Sequence, residues 1–341
     1  MSTIGKNKLT PYPAYCYFIH AMKKRVLLSI LIMLLFLAGK TFAFEGPLQV
    51  KNQFPLFLHI NAPYLESAVT ENSFSAGLSH SSVYMTRNSA DWSVNLDMEI
   101  TELDLRFKKI IPGLFELGVE VPVLSAESGF MDDFLDSYHR TFGFPDYGRS
   151  ERPSDSFLYE VRRNGAVVVS GRNGRIGIGD IRLTAKREIR TIDPVISLRA
   201  EVEFPTGDAG DGHGSGGLDT GFTLLADKKI SQTFMSYWNA GILFPGKFRA
   251  HEDVGLRTSY HAGAGIEAAL WKQVSLLGQI TFQTSPFPKT DIGSIDRIAA
   301  LLTFGARYSP GKQSIEFSLT EDPNTAGAPD VIFNITYKRR F

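Results

Sequence analysis

The last eleven residues, Val331 to Phe341, constrain the fold most. Val331, Phe333, Ile335, Tyr337 and Phe341 share one parity, broken by Arg339, while Asn334, Thr336, Lys338 and Arg340 fill most of the other. Successive side chains of a strand point to opposite faces, so this segment has one apolar face and one largely polar face. Two folds accept such a strand. One is a soluble sandwich, and the other is a closed barrel with hydrocarbon against the apolar face.

The same period of two recurs along the chain, at 74–84, 94–107, 117–123, 181–186, 196–204, 222–226, 238–244, 260–270, 274–282, 298–308 and 315–319. With the last segment these make about twelve strands, an even number of roughly the length a tilted membrane crossing needs, about 9–11 residues each. Near Thr101-Glu102 the apolar phase slips, from Val94, Leu96, Met98 and Ile100 to Leu103, Leu105 and Phe107, and the slip predicts a β-bulge. Connections alternate in character: those at 109–113, 190–194, 229–232, 271–273 and 309–312 are short, and those at 125–175, 205–217, 245–257, 285–296 and 321–329 are longer and polar. With both ends in the periplasm, the long set falls outside, as in outer-membrane barrels. The fold class predicted is all-β, a transmembrane antiparallel up-and-down β-barrel of about 12 strands over residues 73–341, with a long extracellular loop at 125–175. That loop is expected to hold a short helix at 132–142 and a hairpin at 157–170 around Asn164-Gly165, a pair suited to a type I′ turn. Residues 44–72, with prolines at 47, 55 and 63, read as a periplasmic lead-in or a plug segment.

The start of the chain reads as a leader. Met22-Lys23-Lys24-Arg25 is a basic n-region, 26–39 is nearly all apolar, and Thr41-Phe42-Ala43 suits signal peptidase. Residues 22–43 are therefore expected to be a signal peptide, and 1–21 an upstream misannotated extension. Cys16 is the chain's one cysteine, so the processed chain has no disulfide and no thiolate chemistry. The whole chain has 36 basic and 36 acidic residues; the first 43 hold six of the basic ones and none of the acidic, which leaves a net −6. Nothing in that balance suggests a nucleic-acid-binding surface. The later chain has no stretch of 18 uninterrupted apolar residues, which excludes a helical membrane bundle.

In such a barrel the polar parity faces the lumen. The expected lumen residues are Asp97, Glu99, Arg182, Lys186, Arg199, Glu201, Glu203, His261, Glu267, Arg307 and Glu316, and their mixed signs predict ion pairs across the lumen rather than a ring of one sign. Tyr237, Trp238, Tyr260, Tyr308, Tyr337 and Phe341 lie near strand ends, where aromatic girdles belong.

A C-terminal Phe with apolar or aromatic residues at every second position before it resembles the closing-strand signal of Gram-negative outer-membrane barrels. The resemblance implies that the barrel-assembly machinery reads Tyr337 and Phe341. More broadly, Gly46-Pro47-Leu48 with Asn52-Gln53-Phe54-Pro55, Asp133 to Phe142, Gly179-Asp180 with Leu183 and Lys186, Glu321-Asp322-Pro323-Asn324-Thr325 and Asp330 resemble an uncharacterised family of Gram-negative outer-membrane β-barrel proteins, a domain of unknown function. Pro205-Thr206-Gly207-Asp208, Ser215-Gly216-Gly217 and Asp219 are similar to barrels associated with hydrocarbon and phenol degradation clusters. The resemblance implies an outer-membrane location and a lipid surround, and carries no catalytic assignment.

Three functions fit these observations. The first is a channel or transporter for a small solute, apolar solutes included. The second is a structural or surface-binding barrel without an open pore. The third is a membrane-embedded lipid hydrolase, for which His80 near Ser82 would be the base and nucleophile, although the sequence places no third partner. His139 beside Asp132, Asp133 and Asp136 reads as a solvated helix face rather than a metal site. Asp208, Asp211, His213 and Asp219 read as a Gly/Asp turn loop. No cofactor is expected.

Overall fold

The computed structural model describes residues 44–142 and 153–341; the leader expected at 22–43 and the extension at 1–21 lie outside them. Among the described residues there are seventeen strands: β1 (Ser73–Asn88), β2 (Trp92–Ile111), β3 (Phe115–Glu127), β4 (Leu158–Arg163), β5 (Ala166–Ser170), β6 (Arg175–Ile178), β7 (Ile181–Arg190), β8 (Val195–Phe204), β9 (Asp219–Lys229), β10 (Phe234–Phe244), β11 (Lys247–Arg249), β12 (Asp253–Gly255), β13 (Ser259–Trp271), β14 (Val274–Gln283), β15 (Ala299–Tyr308), β16 (Gln313–Glu321) and β17 (Val331–Arg340). Three helices accompany them: α1 (Pro55–Leu58), α2 (Asp132–Phe142) and α3 (Gly293–Asp296).

Twelve strands close an antiparallel barrel in the order β1, β2, β3, β7, β8, β9, β10, β13, β14, β15, β16, β17, with β17 returning to β1 along Ser73↔Arg340 to Ser82↔Val331. Closure pairs every wall strand on both sides and leaves no unpaired edge for lipid to meet. The hairpin β4–β5 turns at Asn164-Gly165, both at positive φ, and extends the upper part of β2. β6 continues the wall above β7 along β3.

β2 is 20 residues long and β1 is 16, so this hairpin rises well beyond a membrane crossing. Its register runs unbroken from Ser73↔Lys108 to Asn88↔Ser93, so the bulge expected at Thr101-Glu102 does not exist. The phase slip has a different cause. Even-numbered side chains of β2 point inward throughout, but the surroundings of both faces change at that level. Below it the inner face carries Glu102, Asp104, Arg106 and Lys108, and the outer face carries Leu103, Leu105 and Phe107. Above it the inner face carries Trp92, Val94, Leu96, Met98 and Ile100, which are buried in an apolar core, and the outer face carries Asn95, Asp97, Glu99 and Thr101. Below this level an apolar outer face backs a polar lumen; above it a polar outer face, where Asp97 and Glu99 are buried against the loop that follows β3, backs a hydrophobic dome. The strand swaps its polarity there without swapping its pleat.

The outward parity of the lower wall is apolar, with Phe74, Leu78, Leu117, Leu183, Leu198, Phe222, Phe304, Phe317 and Ile335 all exposed. Trp238, Tyr260, Tyr308, Tyr337 and Phe341 are also outward and exposed. Tyr237 is a correction: it is 2 % exposed, and its hydroxyl donates to Glu267 Oε2 at 2.5 Å inside the lumen.

Candidate functional site

The lumen is occupied by residues 45–72. The segment enters at the periplasmic end, where Arg340 Nη2 donates to the Glu45 carbonyl at 2.9 Å. It rises to α1 beneath the extracellular loops and descends to β1.

An irregular segment in a lumen must find partners for its own backbone, because neither a sheet nor bulk water supplies them. Wall side chains do so here. Gln279 clasps Leu48 from both sides, its Oε1 accepting from Leu48 N at 3.0 Å and its Nε2 donating to Leu48 O at 2.9 Å. Asn239 repeats the arrangement at Glu66, at 2.8 and 3.0 Å. Arg307 donates to Gly46 O at 2.7 Å, Arg182 to Ala62 O at 3.0 Å, and Glu203 accepts from Asn61 N at 2.6 Å.

Ion pairs add a second tier. Glu66 is its hub: its carboxylate meets Lys108, Lys186 Nζ at 2.9 Å and Arg199 Nη1 at 2.7 Å. Burial pushes the Glu66 carboxyl up, and these three cations outweigh burial and hold it well below the usual range. Lys51 is the inverse. Burial favours its neutral form, but Asp104, Glu102 and Glu120 at 2.8, 2.9 and 2.5 Å raise its ammonium above the ordinary range. Between the two, the Tyr64 ring is faced by the guanidinium groups of Arg106, Arg199 and Arg182 at 4.4, 5.2 and 5.7 Å.

All these charges belong to one side of the lumen, formed by β2, β3, β7 and β8. The opposite side, β13 to β15 above Glu267 and Arg307, carries Gly263, Gly265, Gly305, Ala299, Leu301 and neutral polar groups. There the plug presents Leu48 and Leu65. A Cβ on Gly263 would lie 2.7 Å from Leu65 Cδ2, and one on Gly305 would lie 2.8 Å from Leu48 Cδ1. The absence of side chains at these two wall positions is what lets the leucines seat. A cavity of ≈ 20 Å³ remains here, between Pro63, Tyr64 and Leu65 on the plug and His261, Gly263, Gln283 and Leu301 on the wall. On the lipid side of the same strands lies an apolar groove of ≈ 350 Å³, floored by Ala226, Ala240, Ala262 and Ala264 and flanked by Trp238 and Phe282. Ala262, Gly263 and Phe282 line both spaces, so a single thickness of sheet separates them.

The extracellular end is shut by the dome. Phe54, Leu56, Phe57 and Ile60 of the plug pack into one core with Trp92, Leu96, Tyr159, Val168, Phe248, Phe287 and Ile295.

Nine of the expected lumen residues are buried on the inner face: Arg182, Lys186, Arg199, Glu201, Glu203, His261, Glu267, Arg307 and Glu316. Their pairs run within a strand, between strands one or two apart and from wall to plug. Arg307 reaches Glu267 and Glu316, both at 2.9 Å, while Lys186 and Arg199 meet on Glu66. Asp97 and Glu99 are corrections. They sit on the outer face above the membrane boundary, because the assumed bulge would have been needed to turn them inward. Asp97 Oδ2 accepts from Ser156 Oγ at 2.5 Å. Glu99 caps the start of the α2 region, accepting from Phe130 N and Met131 N, and meets His80 Nε2 at 2.7 Å. The other His80 nitrogen lies 2.9 Å from Thr101 Oγ1, and the ring stacks on Phe130. His80 thus has the partners the sequence could not place, and they anchor the loop above it.

Lys51, Glu66, Glu102, Asp104, Arg106, Lys108, Glu116 and Glu120 were not singled out as lumen residues. Simple alternation identifies those on β2 and β3, but Lys51 and Glu66 lie in a segment with no strand parity to read. In the loop at 205–217, Asp211 pairs with Arg172 and Arg175, and Asp219 accepts from Gly246 N at 2.7 Å. Asp180, just outside β7, accepts from Gly207 N and Ser215 N at 2.8 and 2.7 Å, and burial pushes its carboxyl up to about 6. Among the described residues no group of three His, Cys, Asp or Glu is placed to hold a metal ion; the side chains of Asp136 and His139 lie outside them.

Solved structures share this architecture. An outer-membrane channel of the COG4313 group from Pseudomonas putida F1 superposes with a TM-score of 0.54 over 80% of this chain and 96% of its own, at 13% identity. The NanC porin, at a TM-score of 0.45 and 7% identity, covers 79% of this chain and 100% of its own. The Pseudomonas putida toluene transporter TodX, at 0.39 and 9%, covers 89% and 100%. The first likeness fixes the fold as an outer-membrane-type barrel, and the other two are too distant to add to it. No curated protein matches the sequence. Residues 25–341 match a family model described as a protein of unknown function, DUF3187.

Proposed function

The chain belongs to the DUF3187 family, and from its barrel fold and the layout of its lumen we propose that it is an outer-membrane channel for a small solute, held shut by its own N-terminal segment. The observation that carries this reading is the division of the lumen. A barrel built only as a scaffold has no need of a lumen charged on one side and neutral, with glycine at three inward positions, on the other. Here the charged side grips the plug, and the neutral side, lined by Gly263, Gly265 and Gly305, offers a path once Leu48 and Leu65 move. The apolar groove behind Gly263 gives a solute that dislikes water an adjoining surface in the lipid. The solved neighbour described as an outer-membrane channel supports the same reading.

Planar-bilayer recording tests it. The native protein is expected to conduct rarely and in small steps, because the luminal cavities of ≈ 10–20 Å³ each hold about one water. A plug-released variant is expected to conduct steadily. Flat traces from both, with samples that still show a heat-dependent gel shift, would return the second reading, a structural barrel without a pore.

Assembly gives an independent prediction. Phe341 stacks on Phe107 at 6.0 Å, its N–H donates to Asn72 O at 3.2 Å, and its ring is half exposed. Phe341→Ala is expected to cost the finished barrel only about 1 kcal/mol, the order of one aromatic pair, yet to lower the yield of heat-modifiable barrel in cells several-fold. Equal yields would remove Phe341 from any assembly signal.

A further inference from the structure

The cavity beside Gly263 carries a polar feature that plug docking does not use. Gln283 is 4 % exposed, and neither its Oε1 nor its Nε2 has a hydrogen-bond partner. His261, directly across the β13–β14 ladder from it, is 8 % exposed; its Nε2 lies 3.2 Å from Thr223 Oγ1, and its Nδ1 has no partner. Both residues line the cavity, which also presents Asn52, Tyr64 and Thr281 beside the apolar Pro63, Leu65, Phe282 and Leu301. Buried polar groups are nearly always paired, so two adjacent side chains with polar atoms left without a protein partner mark the polar end of a largely apolar cavity.

From these groups we infer that the cavity is a recognition site for a small neutral molecule with an apolar body and one hydroxyl group. The inference rests on the channel reading and names its solute class. A hydroxyl both donates and accepts, and so satisfies the Gln283 carbonyl together with either the Gln283 amide or an imidazole nitrogen. No carboxylate, ammonium or guanidinium lines the cavity, so a charged solute would lose its hydration without compensation. A bare hydrocarbon would fill the apolar part and leave the polar pair unmatched. The space is ≈ 20 Å³ with the plug seated, and Pro63 and Leu65 stand where the body of the solute would lie. Solute entry and withdrawal of the plug at Pro63–Leu65 are therefore one event, and a ligand that binds only the withdrawn state shifts the plug outward.

The test uses the full processed chain in lipid nanodiscs, with fluorine NMR of 4-fluorobenzyl alcohol, 4-fluorobenzyl methyl ether, 4-fluorotoluene and 4-fluorobenzoate, and empty nanodiscs subtracted for partitioning. The native protein is expected to bind the alcohol saturably and about 10-fold more tightly than the toluene, consistent with one or two net hydrogen bonds. The ether, which accepts but cannot donate, should fall between them, and the benzoate should not bind. Gln283→Leu should bring the alcohol-to-toluene ratio close to one while toluene binding persists. Toluene bound as tightly as alcohol by the native protein, or an unchanged ratio in Gln283→Leu, would overturn the site; the native series holds even if the variant fails to fold. Bilayer recording keeps the two proposals apart. Conduction without alcohol preference sinks the solute class alone, and absence of conduction after plug release sinks the channel.

Discussion

Glu66→Ala unlatches the plug and leaves the barrel intact. Glu66 is 3 % exposed and neutralises Lys108, Lys186 and Arg199 together. Removing one partner of a buried ion pair costs about 3–5 kcal/mol, chiefly because the other charge stays buried without compensation. Lys186 keeps Glu116 at 3.2 Å and Arg199 keeps Glu201 at 3.0 Å, so the lower end of that range applies. A shift of about 3 kcal/mol multiplies the released population by roughly a hundred, at 1.4 kcal/mol per decade. Conductance should rise accordingly, and brief protease treatment should cut the chain within 45–72. The heat-dependent gel shift should survive, since no wall strand contains Glu66. Glu66→Gln, which keeps one acceptor oxygen and loses the charge, should produce most of the effect. A variant as closed and protease-resistant as the native protein would show that the backbone clasps of Gln279 and Asn239 suffice without the charge.

The same residue fixes the pH behaviour. A carboxyl held below its unfolded value contributes stability that is present above the unfolded pKa, near 4.5, and is lost only as pH falls through the lower folded value. Lowering pH from 7 to 5 leaves Glu66 ionised in both states, so conductance should not change over that range. Opening between pH 7 and 5 would mean that a different group controls the plug.

Strand count, loop sorting, the α2 helix and the Asn164-Gly165 hairpin were legible in the sequence because each rests on local chemistry: period-two alternation, polar loops or turn residues that tolerate positive φ. Lumen residues on β7, β8, β13, β15 and β16 were legible for the same reason. Asp97 and Glu99 were misplaced by an assumption, namely that the apolar face of a strand keeps one direction along its length. The outer face of β2 passes from apolar residues to polar ones bonded to the loop above, while its inner face passes from charge to an apolar dome, so its apolar residues change side where its backbone does not. The partners of the segment at 45–72 were illegible in a different way. Its backbone bonds to side chains from distant strands, with Leu48 reaching Gln279 and Glu66 reaching Asn239, and no local pattern announces such partners.

Phe57→Ala distinguishes a plug that moves as one body from one whose ends move separately. Phe57 is fully buried at the top of the plug and packs edge-on against Phe54 at 5.7 Å. A Cβ on Gly327 would lie 2.6 Å from the Phe57 ring, so the loop after β16 closes directly over it. Truncating a core Phe to Ala costs about 3–5 kcal/mol. The charge network around Glu66 lies lower on the same segment. Between the two, Asn61 N and Ala62 O are bonded to the wall, so the segment is tied along its length. If it leaves as a unit, Phe57→Ala alone should open conduction about as far as Glu66→Ala alone. The double variant should then add the two costs, as expected for separated sites acting on one equilibrium. If the dome and the charged clasp release independently, either single variant leaves the other seal in place, and only the double variant conducts. Single-variant conduction with additive free energies is the expected result. Silent single variants beside a conducting double variant would replace one gate with two in series, the dome opening to the outside and the clasp opening to the periplasm.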